Sequence, residues 1–133
     1  MRWPIFVLIL CIVGCKKEPN FEEDYDWNSR IVMASAYNSL AYQTSSNPHI
    51  TAFGDSLKPG LNYIAVSRDL LRKGLKHNTP VKIEGFKGVF FVKDKMNVRY
   101  KNHIDIYMGV DVKAAKQWGR RKVCIDYGIP KAD

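Results

Sequence analysis

Residues 89–94, Val89-Phe90-Phe91-Val92-Lys93-Asp94, and residues 103–108, His103-Ile104-Asp105-Ile106-Tyr107-Met108, indicate two β-strands joined by a polar loop. The first run is apolar almost throughout, which is typical of a strand buried on both faces. The second alternates strictly, so Ile104 and Ile106 share one face and Asp105 lies on the other with a histidine and a tyrosine. One acid therefore ends the first strand, and another lies inside the second.

Further strand patterns lie on both sides of this pair. The predicted strands cover residues 31–37, 63–66, 81–84 and 122–127. Two short helices are predicted, at residues 68–73 and 111–119. The second begins with an acid and ends with a glycine, as helix capping favours. Six strands with one or two short helices in about 100 residues predict a mainly β fold, and a closed six-stranded barrel rather than a sandwich.

The first 14 residues predict export. They combine one positive charge, a short apolar run and a small residue at the break, as a secretory signal does, and the run is too short to span a bilayer. Ile12-Val13-Gly14-Cys15 also resembles the bacterial lipobox, which implies lipidation of Cys15 and removal of residues 1–14. The alternatives are an ordinary signal peptide and a short membrane anchor. Residues 15–29 are then the lipidated cysteine and a polar tether, and residues 30–133 form the domain.

Basic residues dominate the predicted domain. Of the 21 lysines and arginines and the 13 aspartates and glutamates in the chain, 18 and 8 respectively follow Trp27. This excess favours anionic partners through the summed field. For an exported protein these are cell-wall peptides, lipopolysaccharide or acidic headgroups, and export disfavours nucleic acid. The alternative is an ordinary solvated, lysine-rich surface.

Cysteine and histidine usage indicates neither a metal site nor another cofactor. Once Cys15 is lipidated and the signal is removed, Cys124 is the remaining thiol, and its apolar neighbours predict a buried position in a strand. His49, His77 and His103 are scattered, without the spacing of zinc ligands.

The face that carries Asp105 is the candidate site. With His103 and Tyr107 beside it, this face suits a sugar, because sugar rings stack on aromatic side chains and their hydroxyls need hydrogen-bonding partners. The alternatives are an outward-facing aspartate without a function and one that caps the adjacent loop.

An ordered set of segments resembles the three-aspartate (3D) domain family, which includes the barrel domain of membrane-bound lytic transglycosylase A. The resemblance spans about residues 31–128 of this chain. The matching segments are Ser35-Ala36-Tyr37, Gln43-Thr44, Pro48, residues 51–54, Asp94, Asn97, residues 104–109, Ala114-Ala115, Trp118-Gly119 and residues 121–123.

The resemblance implies a double-psi β-barrel with a groove across one face, and a catalytic role for Asp105 supported by Asp94. It implies cleavage of peptidoglycan between N-acetylmuramic acid and N-acetylglucosamine without water. Where the family has its remaining aspartate, this chain has Ser67, with Asp69 two residues later. The candidate substrate-binding residues are Tyr37, Gln43, Thr44, Thr51, Asn97 and Arg99.

Two of these candidates have further interpretations. A guanidinium such as that of Arg99 suits the lactyl or stem-peptide carboxylates of peptidoglycan, although an exposed arginine can also lack a role. Tyr37 can alternatively fill the barrel core.

The predicted function is therefore that of a monomeric, lipid-anchored lytic transglycosylase acting on peptidoglycan strands in the cell envelope, at the outer membrane or the periplasmic face of a membrane. One alternative is a non-catalytic wall-binding or assembly module on the same barrel, which Ser67 favours. Another is a hydrolase in which Asp69 or Asp55 supplies a second carboxylate.

Overall fold

A computed structural model describes residues 21–39 and 50–132 of the chain. Six strands alternate with two short helices, and a single 3-10 turn precedes them. The strands are β1 (Tyr25–Tyr37), β2 (Tyr63–Val66), β3 (Pro80–Ile83), β4 (Phe90–Lys95), β5 (His103–Tyr107) and β6 (Arg121–Pro130). The 3-10 turn is Phe21–Asp24, and the helices are α1 (Arg68–Arg72) and α2 (Val112–Trp118). The predicted positions of the strands and helices are confirmed, apart from shifts at their ends.

The strands close into a barrel in the order β1-β5-β2-β4-β3-β6. Two pairs are parallel, β1 with β5 and β2 with β4, and the antiparallel β2–β5 pair lies between them. These crossed connections form a double-psi β-barrel, so the predicted fold class is confirmed. Closure leaves no sheet edge unpaired, and it brings residues far apart in the sequence onto neighbouring strands.

The core follows from the alternation along these strands. Ile104 and Ile106 of β5 are at most 1% exposed, and they face Ile64 of β2 and Val92 of β4 inside the barrel. Leu70 of α1 is fully buried in the same cluster, and Trp118 of α2 packs against it. The inward isoleucines therefore turn the alternate residues of β5 outward, as the sequence predicts.

The N-terminal boundary of the domain differs from the prediction. Residues 21–29, assigned to a polar tether, form the 3-10 turn and the first part of β1, which pairs with β6 from Tyr25↔Pro130 onward. Three of the acids that are typical of a tether, Glu22, Glu23 and Asp24, are exposed in the 3-10 turn. Asp26 is exposed on β1, because only one face of the strand meets the barrel. The domain therefore begins earlier than residue 30.

The signal peptide and the lipidation site at Cys15 lie outside the described residues. Within residues 21–39 and 50–132, no helix is long and apolar enough to cross a membrane. Cys124 lies in β6 as predicted, but it is half-buried rather than fully buried.

Candidate functional site

Both predicted catalytic acids belong to one row of residues across four strands. In the barrel register Ser35 pairs with Asp105, Asp105 with Ala65, and Ala65 with Asp94. Directly paired residues point to the same face of a sheet, so this carboxyl row lies on the face opposite the core isoleucines. Neighbouring strands are about 4.8 Å apart, which places the Cα atoms of the two aspartates about 10 Å from each other. The small Ala65 side chain leaves space between the two carboxyl groups.

An irregularity in β4 turns Asp94 toward this face. Val92 lies in the core opposite Ile64, and simple alternation would place Asp94 in the core as well. The register shifts by one residue between Ile64 and Ala65, so Ala65 pairs with Asp94 and skips Lys93. Such irregularities re-aim side chains, and they are frequent beside active sites.

Asp105 is held through the hydroxyl of Ser35. Ser35 Oγ donates to Asp105 Oδ1 at 3.0 Å and lies 2.8 Å from Nε2 of His103, a side chain that is almost fully buried. A hydroxyl has one proton, so Nε2–H of His103 donates to Ser35 while Ser35 donates to the ionised aspartate. These two contacts fix the position of the carboxyl group on the outer face of the barrel.

Burial raises the pKa of Asp105 from its usual 3.8 to about 6. The hydrogen bond from Ser35 acts in the opposite direction because it favours the charged form, while the nearby charge of Asp94 raises the pKa further. Near pH 6 about half of the molecules therefore carry a neutral carboxyl at this position. Such a group can both give and take a proton close to physiological pH.

Asp94 has a different environment. Its Oδ1 accepts hydrogen bonds from the backbone N–H groups of Ala52 at 2.8 Å and Lys95 at 2.9 Å. The net pKa of Asp94 is raised, and burial is the largest cause. The two N–H groups and the Lys95 charge act to lower this pKa, while the charge of Asp55 acts to raise it. The two hydrogen bonds fix Asp94 in place, which suits a supporting group better than a proton donor.

Tyr37 lies at the end of β1, two residues beyond Ser35, with its ring 5.4 Å from that of Tyr107. Its hydroxyl is buried, and no described residue forms a hydrogen bond with it. Burial raises the pKa of Tyr37, and the charges of Asp94 and Asp105 add to this effect, so the hydroxyl lies within electrostatic reach of both acids. An unpaired buried hydroxyl is costly, which makes this group a candidate for contact with a ligand.

Three of the remaining predicted substrate-binding residues, Thr51, Asn97 and Arg99, form hydrogen bonds within their own loops. Thr51 is buried, and its Oγ1 accepts from the Asp55 N–H, so it shapes the loop that presents Ala52 to Asp94. Asn97 and Arg99 form a local turn, in which Asn97 Oδ1 accepts from the Arg99 N–H and the guanidinium contacts Tyr100. Gln43 and Thr44 lie outside the described residues.

Ser67, at the position of the family aspartate, is fully buried, and its Oγ accepts from the backbone N–H of His103 at 3.0 Å. Asp69 Oδ2 accepts from the Asn102 N–H at 2.9 Å. Burial acts to raise the pKa of Asp69, but the Ser67 hydroxyl and the Asn102 N–H outweigh it, and the net pKa is lowered. Both residues therefore support the start of β5.

The contribution of Ser35 is the main feature that the sequence analysis missed. The sequence identifies this serine only as part of a family segment, because its contact with Asp105 depends on the parallel pairing of β1 with β5. Within residues 21–39 and 50–132, no group of three or more histidine, cysteine or acidic side chains is arranged to hold a metal ion. The groups gathered at the site are thus carboxyl, hydroxyl and imidazole groups.

No protein-family model matches the sequence, and no curated protein matches it significantly. Among solved structures, the fold is similar to that of an apo expansin from Clavibacter michiganensis, with 18% identity and a TM-score of 0.48 over 80% of this chain and 52% of the expansin. A mutant of that expansin in complex with cellohexaose gives 17% identity and a TM-score of 0.47 over the same shares. This chain thus spans about half the length of these expansins, and a likeness this weak identifies neither activity nor substrate. Membership of the 3D family remains a prediction.

Proposed function

We propose that this protein is a peptidoglycan lytic transglycosylase in which Asp105 is the catalytic acid and base. The observation that carries the proposal is the carboxyl row, which holds a half-buried Asp105 between the hydroxyl of Ser35 and the second acid, Asp94. A carboxyl with a pKa of about 6 is protonated often enough to act as an acid and becomes a competent base once ionised.

In the proposed reaction, the neutral Asp105 carboxyl donates its proton to the oxygen that links N-acetylmuramic acid to N-acetylglucosamine. The bond from that oxygen to C1 of the muramic ring breaks, and the ring develops oxocarbenium character. The Asp105 carboxylate then removes the proton from the C6 hydroxyl, whose oxygen forms a bond to C1. The products are a 1,6-anhydromuramic end and a free 4-hydroxyl, and the carboxyl is protonated again.

The neighbours of Asp105 have separate parts in this scheme. The negative charge of Asp94 favours the protonated form of Asp105 and also stabilises the positive charge that develops on the ring. The Ser35 hydroxyl can keep its hydrogen bond to Asp105 in both protonation states, because it donates to the carboxylate and accepts from the neutral acid. The unpaired Tyr37 hydroxyl is a donor for the sugar.

Digestion of purified sacculi tests the proposal. The full chain, purified in detergent, should release muropeptides with anhydro ends at about pH 5.5, and Asp105→Asn should lower the rate by about 100-fold or more. Asp126→Asn is the matched control, because Asp126 on β6 also accepts a hydrogen bond from a β1 serine, Ser29, at 2.6 Å. It should digest sacculi at the wild-type rate. Release of products about 18 mass units heavier would instead identify a hydrolase, since one water is added.

A second candidate is non-catalytic binding of the same glycan strands. It is favoured by Ser67, which is engaged with the backbone of His103 and places no carboxyl at the third family position. In this case the protein sediments with sacculi and releases no fragment, and Asp105→Asn changes neither result. Lipid anchoring at Cys15 and a location in the cell envelope belong to both candidates and remain predictions.

A further inference from the structure

A cavity of about 340 Å³ lies beside the carboxyl row, where β1, β6 and the loop before β5 meet. Three cationic side chains line it, Lys101, Arg120 and Lys122. Among the described residues, none of these three cations forms an ion pair or a side-chain hydrogen bond. We call this site the cationic pocket. Arg121, between two of the three, has a different role, because it stacks on the Trp118 ring at 4.0 Å and donates to the Trp118 carbonyl at 2.8 Å.

The floor of the cationic pocket is held rigidly by Asn102. Its backbone N–H donates to Asp69, and its carbonyl accepts from the Met33 N–H. Its side-chain oxygen accepts from Arg30 Nε at 2.8 Å, and its side-chain nitrogen donates to the Ile31 carbonyl at 3.0 Å. Asn102 also adopts a positive φ of 46°, a left-handed conformation that is uncommon outside glycine. Every polar group of this residue is therefore engaged, and the cations surround a fixed surface.

The cationic pocket lies on the same face of the barrel as the carboxyl row, on the side toward β6. Lys122 pairs with Met33, and Met33 pairs with His103, so these three residues form a row next to the carboxyl row on the same face. The two rows are about 7 Å apart along the strands. Arg120 is close enough to His103 to help lower the pKa of that histidine, after the larger effect of burial. A chain of sugars that crosses the strands past Asp105 toward β6 therefore reaches the three cations.

We propose that the cationic pocket binds the carboxylates of the peptide stems that branch from the muramic acid residues of the bound strand. This inference rests on the proposed function, since it takes peptidoglycan as the ligand of the face that carries Asp105. Lysine and arginine side chains without internal partners form charge-assisted hydrogen bonds with carboxylates. The pocket thus selects strands that carry peptides over bare glycan. Arg99, the candidate from the sequence for a carboxylate contact, donates to the Tyr100 hydroxyl in the structure, and its role in substrate binding stays a prediction.

Sedimentation with insoluble sacculi tests the pocket without digestion when every protein carries Asp105→Asn. The pocket variant combines three substitutions: Lys101→Gln, Arg120→Gln and Lys122→Gln. The control variant loses the same charge at exposed lysines away from the pocket: Lys73→Gln, Lys87→Gln and Lys113→Gln. On native sacculi the pocket variant should bind about tenfold more weakly than the control variant, and high salt should reduce the difference.

Two further ligands identify the source of the negative charge. On sacculi whose carboxylates have been converted to amides, the pocket and control variants should bind equally. On vesicles that contain phosphatidylglycerol they should also bind equally. Equal binding to native sacculi, a difference that persists on the amidated sacculi, or a difference confined to the vesicles would each overturn the proposal.

The result is separable from the test of catalysis. If the wild-type chain releases anhydro muropeptides but the pocket and control variants bind native sacculi equally, the pocket assignment is wrong and the proposed reaction stands. If the pocket variant binds weakly but the wild-type chain releases nothing, the binding site stands and the proposed reaction is wrong.

Discussion

Replacing Asp105 with asparagine should stabilise the folded protein at neutral pH while it removes the proposed catalytic acid. The pKa of Asp105 rises from 3.8 to about 6 on folding, so the folded state holds this proton more tightly than the unfolded chain. Ionisation of Asp105 therefore destabilises the fold progressively as the pH rises from about 4 to about 7. The difference between the two pKa values corresponds to about 3 kcal/mol of stability. Asparagine does not ionise and therefore avoids this cost.

Urea unfolding of the full chain, followed by tryptophan fluorescence, measures the difference. With a urea dependence of about 1–3 kcal/mol/M, Asp105→Asn should raise the midpoint by about 1 M or more at pH 7.5 and by little at pH 4. The amide oxygen can still accept the hydrogen bond from Ser35, and the side chain keeps nearly the same volume, so no cavity is introduced. Asp126→Asn, the matched change on β6, should give no stabilisation at pH 7.5.

Two results would refute this reasoning. A variant that is equal to or less stable than the wild type at pH 7.5 would mean that Asp105 ionises in the fold without penalty. A gain of the same size at pH 4 and pH 7.5 would mean that the stabilisation has another origin than the charge of the carboxyl group.

Three further predictions concern the same site and its surroundings. Ser35→Ala should raise the pKa of Asp105 and extend anhydro-product release to higher pH. Asp94→Asn should lower the same pKa and restrict release to lower pH. If the pH profiles of the two variants moved in the same direction, the assigned effects of Ser35 and Asp94 would be wrong. Tyr37→Phe removes a buried unpaired hydroxyl, so the free energy of unfolding measured in urea should rise by up to about 1–3 kcal/mol while binding to sacculi weakens; lower stability would reveal a partner for the hydroxyl. Asp111→Ala removes the hydrogen bond from the Ala114 N–H at the start of α2, and should lower the free energy of unfolding by about 1 kcal/mol without moving the pH profile; an altered profile would connect α2 to the site.

Local patterns were sufficient to predict the strands apart from the first part of β1. The alternation in residues 103–108 predicted both the extent of β5 and the outward direction of Asp105, because the inward isoleucines fill the barrel. The acid, glycine and alanines of residues 111–119 predicted α2 for the same kind of local reason, and the Asp111 cap is present.

Features that depend on distant contacts were not predictable in the same way. The first part of β1 alternates exposed polar residues with half-buried aromatic ones, and the acids in and before it are typical of a tether. Its strand conformation depends on the pairing with β6, which is distant in the sequence. The register shift that turns Asp94 outward cannot be recognised from the sequence of β4 alone. The contact of Ser35 with Asp105 joins residues 70 positions apart, and only the closed barrel brings them together.

The same limit applies to the basic surface. The sequence showed an excess of lysine and arginine but not which of these side chains lack partners. Arg121 is held by α2, while the residues on either side of it line the cationic pocket. A charge count predicts anionic partners in general, and the placement of a site requires the fold.

The central physical claim is that the barrel keeps Asp105 neutral at pH values where an ordinary aspartate is charged. Carbon-13 NMR titration of the side-chain carboxyls, with Asp105→Asn to assign the resonance, measures this directly. The expected midpoint is about 6, and it should fall when Asp94 is replaced by asparagine. A midpoint near 3.8 would contradict the account, because Asp105 would then be charged throughout the range in which it is proposed to donate a proton.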